Sequence, residues 1–341
     1  MVQYSDYNVE IGQSQKLVVD LMQEKNIPGL SIAVATKNDI LWTEGFGFAD
    51  LENKTPVKIN SKFRIGSISK TLSALAIGKL IDNGQLKLSD YVQDYVPYFP
   101  EKKYPVTVGQ LAAHTAGIRH YNFQNGEHLS DKNYKTVEES IGVFKDDALL
   151  FEPGTKYSYS TYGYVLLSAV IEGASKMNFI DFMDDSILTP LNLKNTVPDY
   201  NSEIVENRTR FYYESNGKIV NGQYVDNSNI WAGGGYLSTS YDLVLMSQYL
   251  LNNQFLKPST IEKLWTPIPL SNGQKTNYGI GWRQDKDSLG RIYVHHGGLS
   301  MGGRSFLLVY PEEGLAIAMT SNLSTDFDQT FVLKIAEIFM K

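Results

Sequence analysis

The sequence predicts an α+β fold, an α/β sandwich in which helices flank a mainly antiparallel β-sheet built from both chain ends. Three features predict it: β-branched apolar runs near both termini, short polar turns between paired runs, and helical periodicity through the middle of the chain. Runs joined by short turns pair as antiparallel hairpins, which is why the sheet should be mainly antiparallel. The intervening helical stretch predicts a largely α-helical second domain.

Two hairpins frame the predicted sheet. Residues 30–36 and 40–48 flank a polar turn, and residues 304–310 and 315–320 flank a second turn that ends in Gly314. Residues 278–282 and 291–295 are predicted as two further short strands. Together these runs place strands at both ends of the chain.

Helical spacing of apolar residues predicts six helices, over residues 9–25, 67–83, 108–114, 162–176, 240–252 and 330–339. We expect a discontinuous sheet domain of residues 1–80 and 225–341. Residues 81–224 form the mainly helical insertion domain in this prediction, with an active site in the cleft between the two domains.

Composition removes several classes of function. The 341 residues include no cysteine and five histidines, with a formal net charge of -6. A thiolate nucleophile, a disulfide framework, a zinc–thiolate site and an iron–sulfur cluster all need cysteine. The acidic balance argues against a general affinity for nucleic acid. The histidines show no zinc-binding spacing, so we expect neither a metal nor another cofactor.

The apolar runs are too short for a membrane span, which needs about 18 residues. Residues 1–6 lack the basic start and apolar stretch of a secretion signal. We therefore expect no transmembrane segment and no signal peptide in this chain.

Ser67 and Lys70 form the first candidate constellation, Ser67-Ile68-Ser69-Lys70 at the start of a predicted helix. A lysine three residues after a serine shares its helix face and can reach the hydroxyl. Free backbone N–H groups at a helix start can also hold an oxyanion. The alternative is that Ser67 is only an N-cap residue. The same spacing at residues 215–218 contains Asn216-Gly217, which predicts a hairpin turn instead.

Two further segments carry polar groups suited to catalysis. Tyr159 lies in a turn before the apolar helix predicted over residues 162–176, where a phenol near a cation can act as a general base. His295 and His296 are adjacent on a predicted strand, so their side chains point to opposite faces and only one can face a site.

The segment 298–302, Gly-Leu-Ser-Met-Gly, has the spacing of a nucleophile elbow. An elbow serine must be followed by a helix, and its triad histidine should come later in the chain. Residues 304–310 instead read as a strand, and no histidine follows His296. Ser300 is therefore predicted to be a turn residue.

Taken in order, Ser67-x-x-Lys70, Tyr159-Ser160-Thr161 and the His-x-Gly of His295 and Gly297 resemble the penicillin-recognising serine hydrolases. This is the class C β-lactamase and D-Ala-D-Ala carboxypeptidase group, with a β-lactamase/transpeptidase-like fold. Within it the chain is most similar to the mitochondrial β-lactamase-like serine proteases and their bacterial relatives. Segments 27–29, 63–66, 111–121, 159–164, 224–228, 231–235 and 278–282 extend the resemblance over most of the chain.

The resemblance implies a covalent mechanism. Ser67 would be the acylated nucleophile, Lys70 would help to deprotonate it, and Tyr159 would act as base, leaving-group acid and activator of water. The backbone N–H groups of Ser67 and Gly298 would form the oxyanion hole, and Thr161, His295 and Gly297 would contact substrate.

Two departures from the family pattern bear on substrate choice. Thr161 stands where most relatives have asparagine, and a hydroxyl cannot offer the same donor and acceptor pair. His295 replaces a lysine, which weakens the fixed charge for a substrate carboxylate. We therefore expect cleavage of a peptide amide or a small ester, with weak β-lactamase activity if any.

The alternative function is a penicillin-binding sensor acylated without turnover, or a filament-forming scaffold. The expected partners are a small-molecule or peptide substrate, and homo-oligomers or filaments are compatible with the sequence. The resemblance also implies an extracytoplasmic location, periplasmic or secreted.

Overall fold

The computed structural model describes residues 2–3, 5–325 and 327–340, and these residues build a mixed fold around one large sheet. The strands of this sheet are β1 (Val2–Gln3), β2 (Gly29–Thr36), β3 (Ile40–Asp50), β4 (Thr55–Pro56), β10 (Arg283–Lys286), β11 (Ile292–Ser300), β12 (Gly303–Tyr310) and β13 (Leu315–Ser321). They run in the order β1-β3-β2-β13-β12-β11-β10, with β4 paired to β3, and every pairing is antiparallel.

The two ends of the chain meet in the centre of this sheet. Strand β2 pairs with β13 in a register that puts Leu30 opposite Ser321 and Thr36 opposite Leu315. Both predicted hairpins are present, as β2–β3 and β12–β13. The predicted antiparallel sheet assembled from both termini is thereby confirmed.

Eleven α-helices lie in the described part of the chain. They are α1 (Asn8–Glu24), α2 (Ser69–Asp82), α3 (Val92–Tyr95), α4 (Val108–Ala112), α5 (Val137–Ile141), α6 (Thr161–Ser175), α7 (Phe179–Met183), α8 (Trp231–Gly234), α9 (Ser240–Leu251), α10 (Pro258–Trp265) and α11 (Gln329–Phe339). Single 3-10 turns cover Ser5–Tyr7, Gly66–Ile68, Phe123–Asn125, Glu127–Leu129 and Ser228–Ile230, and a π turn covers Asp184–Leu188. All six predicted helices are present, with ends shifted by one or two residues.

Alternation along the strands directs side chains into two cores. On β13, Ala316 and Ala318 face a core shared with α2, α6 and α9. Ile317 and Met319 face the opposite core, which α1 and α11 cover. A strand whose side chains alternate between two apolar layers must be covered on both faces, and here helices from both chain ends do so.

The prediction of a strand over residues 278–282 is wrong. Gly281 has a φ of +74°, and a Cβ there would lie 2.5 Å from the Lys70 carbonyl oxygen. This left-handed residue breaks the extended backbone, and strand β10 begins only at Arg283. The break brings the segment against α2.

The middle of the chain contains small sheets that periodicity did not predict. Strands β5 (Phe63–Arg64), β9 (Tyr236–Ser238) and β6 (Val197–Pro198) pair in that order, and β7 (Tyr212–Ser215) pairs with β8 (Lys218–Asn221). The predicted turn at Asn216 and Gly217 joins β7 to β8, and both residues have positive φ, as a tight hairpin turn requires. The division into domains at residues 80 and 224 stays a prediction. Among the described residues, no helix is long and apolar enough to span a bilayer.

Candidate active site

Ser67 lies in the 3-10 turn Gly66–Ile68, immediately before helix α2. No side chain caps the start of this turn or of α2 by a hydrogen bond. The Ser67 hydroxyl instead accepts a hydrogen bond from Lys70 Nζ at 3.2 Å. The geometry therefore favours the Ser–Lys pair over the N-cap alternative.

Lys70 is completely buried on the first turn of α2. Its Nζ donates to Thr161 Oγ1 at 3.3 Å and to the Gly233 carbonyl oxygen at 2.5 Å, besides its contact with Ser67. In the described part of the chain no carboxylate pairs with this nitrogen. Burial, followed by the positive charge of Arg283, lowers the pKa of Lys70 well below its usual value. These surroundings therefore favour the neutral amine over the ammonium.

Tyr159 precedes α6 and faces both Ser67 and Lys70. Its ring centroid lies 4.8 Å from Lys70 Nζ, and its phenol hydrogen-bonds with Ser67. A phenol can act as a general base if a neighbouring cation lowers its pKa, but burial raises the pKa of Tyr159, and Ser67 and the Arg283 charge act in the opposite direction. Tyr159 therefore holds its proton at neutral pH, which suits a donor more than an initial base.

Two histidines fix the backbone next to Tyr159. His114 Nδ1 accepts a hydrogen bond from the Ser160 N–H at 3.1 Å, and His120 Nδ1 accepts one from the Thr161 N–H at 3.2 Å. A ring nitrogen that accepts a hydrogen bond carries no proton, so both histidine rings are unprotonated at Nδ1. Burial lowers the pKa of His114 well below its usual value and that of His120 to about 4.

His295 and His296 point to opposite faces of β11, as alternation predicts. His295 Nε2 donates to Asp285 Oδ2 at 2.9 Å, and its ring stacks on Phe306. His296 Nε2 lies 2.9 Å from the Tyr278 hydroxyl, and its ring centroid is 6.2 Å from that of Tyr159. Of these two adjacent histidines, His296 is the one whose ring contacts that of Tyr159. A substrate contact by His295 stays a prediction.

The end of β11 lies directly against the turn that carries Ser67. A Cβ on Gly298 would collide with the Ile65 carbonyl oxygen, and a Cβ on Gly66, which has a φ of +48°, would lie 2.7 Å from the Leu299 carbonyl oxygen. Only glycine allows such close backbone approach. The two backbones named for the oxyanion hole, at Ser67 and Gly298, therefore come from adjacent segments.

A buried ion pair ties this region together. Arg64 on β5 pairs with Asp199 at 2.7 Å and donates to the carbonyl oxygens of Val225 and Met301. Asn227 Nδ2 donates to the same Asp199 oxygen at 2.9 Å. The loop after β8 and the turn after β11 are thereby anchored to the strand that leads to Ser67.

Ser67 opens into a cavity of about 410 Å³, here named the apolar cavity. Its polar lining residues are Ser67, His120, His128, Tyr159, Thr161, Asn227, Ser300 and Ser324, and its other side chains form an apolar set. That set is Tyr121, Phe123, Leu129, Ile230, Leu299 and Met301. Among the described residues, none of its lining side chains is Asp, Glu, Lys or Arg.

Beyond Tyr159 lies a second cavity of about 460 Å³, here named the charged groove. It is lined by Tyr159, Gly297, Phe306 and both adjacent histidines, and by the charged residues Arg283, Asp285, Arg304 and Asp328. The Arg283 guanidinium carbon is 5.8 Å from the Tyr159 ring centroid. Tyr159 is thus the wall between the two cavities.

Ser300 ends β11 and is followed by a turn and strand β12, not by a helix. The geometry of a nucleophile elbow is absent there, as predicted. Sequence reasoning did not identify Arg283, His120 or the site-facing role of His296. Arg283 follows the Gly-x-Gly-Trp segment directly, but one arginine after a predicted strand gave no signal of its own.

The chain is similar to several known proteins. A protein-family model described as Beta-lactamase matches residues 15–335. The chain is 31% identical to the serine beta-lactamase-like protein LACTB, mitochondrial, of Homo sapiens, over 97% of this chain and 80% of that protein. It is 30% identical to penicillin-binding protein 4* of Bacillus subtilis (strain 168), over 93% and 73% of the two chains.

A solved structure, the octameric penicillin-binding protein homologue from Pyrococcus abyssi, superposes with a TM-score of 0.84 at 27% identity. The match covers 97% of this chain and 77% of that one.

Proposed function

The chain belongs to the β-lactamase family of serine hydrolases, and on that premise we propose that it cleaves a peptide amide or a small ester through an acyl-enzyme on Ser67. One observation carries the proposal: the buried Lys70 amine lies 3.2 Å from the Ser67 hydroxyl with its pKa lowered. A lysine that is largely unprotonated can remove the hydroxyl proton as the serine attacks a carbonyl carbon.

In acylation, the Ser67 oxygen forms the bond to the carbonyl carbon and Lys70 takes the proton. The backbone N–H groups of Ser67 and Gly298 would hold the oxyanion, a type of contact whose loss typically costs 10²–10³ in rate. The Tyr159 phenol then gives its proton to the leaving amine or alkoxide. Lys70 returns a proton to Tyr159 directly or through the Ser67 oxygen.

Deacylation reverses these roles. A water takes the place of the leaving group beside Tyr159, and proton transfer towards Tyr159 and Lys70 makes it a nucleophile. Water attack then releases the acid and returns the proton to Ser67. Lysine and tyrosine would thus carry out the proton transfers that histidine performs in a Ser-His-Asp triad.

The substrate would enter between the two predicted domains. The apolar cavity is lined by Ser67 and Leu299 from segments 1–80 and 225–341, and by His120 and Phe123 from segment 81–224. Thr161 in place of asparagine, and a neutral histidine in place of a lysine, support peptide or ester cleavage over β-lactam hydrolysis.

Labelling with a fluorophosphonate tests the nucleophile. The parent protein should become labelled, and Ser67→Ala should not. Ser300→Ala is the matched control because Ser300 lines the same cavity. Labelling of Ser67→Ala as strong as that of the parent would refute the assignment.

We further propose an extracytoplasmic, homo-oligomeric protein. The family resemblance supports the location, and the octameric state of the Pyrococcus abyssi homologue supports the assembly. Light scattering should give a multiple of the 38.3 kDa chain mass. A mass of one chain at all concentrations would contradict the assembly.

A further inference from the structure

We propose that the apolar cavity is the acyl pocket and that it selects substrates whose acyl group is uncharged and apolar. The inference rests on the proposed function, since it assigns one part of the substrate to the space beside Ser67. It goes further by naming the chemistry of that part.

Among the described residues, the wall of the apolar cavity contains no Asp, Glu, Lys or Arg, and its ionisable side chains are those of His120, His128, Tyr121 and Tyr159. The His120 pKa of about 4 keeps that ring neutral at physiological pH. The Lys70 amine lies behind the wall, where it donates to Gly233 and Thr161. A charged acyl group would therefore lose its hydration without gaining an ionic partner.

The same wall leaves large apolar side chains uncovered. Phe123 and Leu299 both line this cavity, and each is 59% exposed. Clusters of exposed apolar surface in a concave site are typical of ligand contacts. An apolar acyl chain would cover both side chains and release the water on them.

Tyr159 decides which part of the substrate enters this cavity. The group that Tyr159 protonates must lie at its hydroxyl, and the charged groove begins on the far side of the ring. In a tetrahedral intermediate on Ser67 the oxyanion takes one direction and the leaving group another. The remaining substituent, the acyl group, then points into the apolar cavity.

Two ester series test the assignment. The first keeps p-nitrophenol as leaving group and varies the acyl group through acetate, butyrate and hexanoate. Burial of one methylene corresponds to about a fourfold gain in kcat/KM, so hexanoate should exceed acetate by at least 10-fold even if burial is partial. The p-nitrophenyl hemisuccinate, in which a carboxylate replaces the terminal methyl group of the butyrate, should be at least 10-fold worse than butyrate.

The second series keeps acetate and lengthens the alcohol from ethanol to hexanol. We expect kcat/KM to change less than threefold. An acyl series that is flat, a preference for hemisuccinate, or a chain-length gain confined to the alcohols would overturn the assignment.

Leu299→Ser and Phe123→Ser should lower the hexanoate-to-acetate ratio at least threefold each. Leu289→Ser is the matched control, because Leu289 is 74% exposed in the turn between β10 and β11 and outside both cavities. A hexanoate-to-acetate ratio that is the same in all three variants and the parent would contradict the assignment of the apolar cavity as the acyl pocket. Hydrolysis of the whole panel by Ser67→Ala at the parent's rate would instead refute the proposed function, so the two failures are distinguishable.

Discussion

The apolar cavity and the charged groove lie on either side of the Tyr159 ring, yet their lining residues differ in charge. The apolar cavity contains Ser67 and no Asp, Glu, Lys or Arg among its described lining residues. The charged groove lacks Ser67 but contains two arginines and two aspartates. A substrate that spans Ser67 therefore meets two environments within the length of one side chain.

This difference shows how one centre can treat the two halves of a substrate separately. In our proposal the apolar cavity removes water from the acyl group, and the charged groove influences the groups that move protons. Arg283 belongs to the charged groove, yet its charge contributes to the lowered pKa of Lys70. The groove thus acts on the Ser67 centre through electrostatics without lining it.

Removal of the phenol that separates the cavities should have the largest effect. Tyr159→Phe keeps the ring as a wall but deletes the proton donor, so we expect turnover of a p-nitrophenyl ester to fall at least 10²-fold. Steady-state kinetics should show the loss in kcat with KM little changed. Tyr249→Phe on α9 is a control of the same chemistry, and a Tyr159→Phe rate within threefold of the parent would exclude the role.

Alteration of His120 should test whether its hydrogen bond to the Thr161 N–H positions the segment that carries Tyr159. His120→Leu removes the acceptor for the Thr161 N–H and should lower kcat/KM about 10-fold, in keeping with the sensitivity of rate to small misplacements. His120→Asn keeps an acceptor oxygen and should recover most of the activity. Equal losses in both variants would mean that the hydrogen bond does not position the Tyr159 segment.

The same residue predicts a pH dependence of stability. The His120 pKa is about 4 in the folded protein and about 6.5 when unfolded, so the unfolded chain binds more protons between these values. The free energy of unfolding should therefore fall as pH drops from 6.5 towards 4, more steeply in the parent than in His120→Asn. Chemical denaturation at several pH values measures both slopes, and parallel slopes would contradict the assignment.

A smaller effect should follow from a change in the charged groove. Arg283→Gln removes a positive charge that lowers the Lys70 pKa, so that pKa should rise. Because the unprotonated amine is the base, the acid limb of kcat/KM should move to higher pH, with the maximal rate within about 10-fold of the parent's. Lys286→Gln, on the same strand, is the control. If the acid limb of the pH profile does not move, the charged groove has no effect on the Lys70 pKa.

Local sequence signals predicted most of the fold and the contact between Ser67 and Lys70. Paired apolar runs with short turns predicted the hairpins, because alternation and turn chemistry act over few residues. The Ser67–Lys70 spacing places both groups on one helical turn, so their contact also follows from local geometry.

Local sequence signals could not predict features that depend on packing between distant segments of the chain. The choice between His295 and His296 depends on which face of β11 lies against α2, and alternation alone is symmetric between them. Periodicity favoured a strand over residues 278–282, whereas the close approach of Gly281 to Lys70 imposes a turn. The upward shift of the Tyr159 pKa likewise arises from burial by segments far apart in the chain.

Trapping of the covalent intermediate tests the central claim most directly. The Tyr159→Phe protein, mixed with p-nitrophenyl hexanoate, quenched in acid and digested, should yield a peptide containing Ser67 that is heavier by one hexanoyl group in place of one hydrogen. Mass spectrometry should locate the group on Ser67 itself. The absence of any adduct during turnover by the parent and the variant, or an adduct on another side chain, would contradict an acyl-enzyme on Ser67.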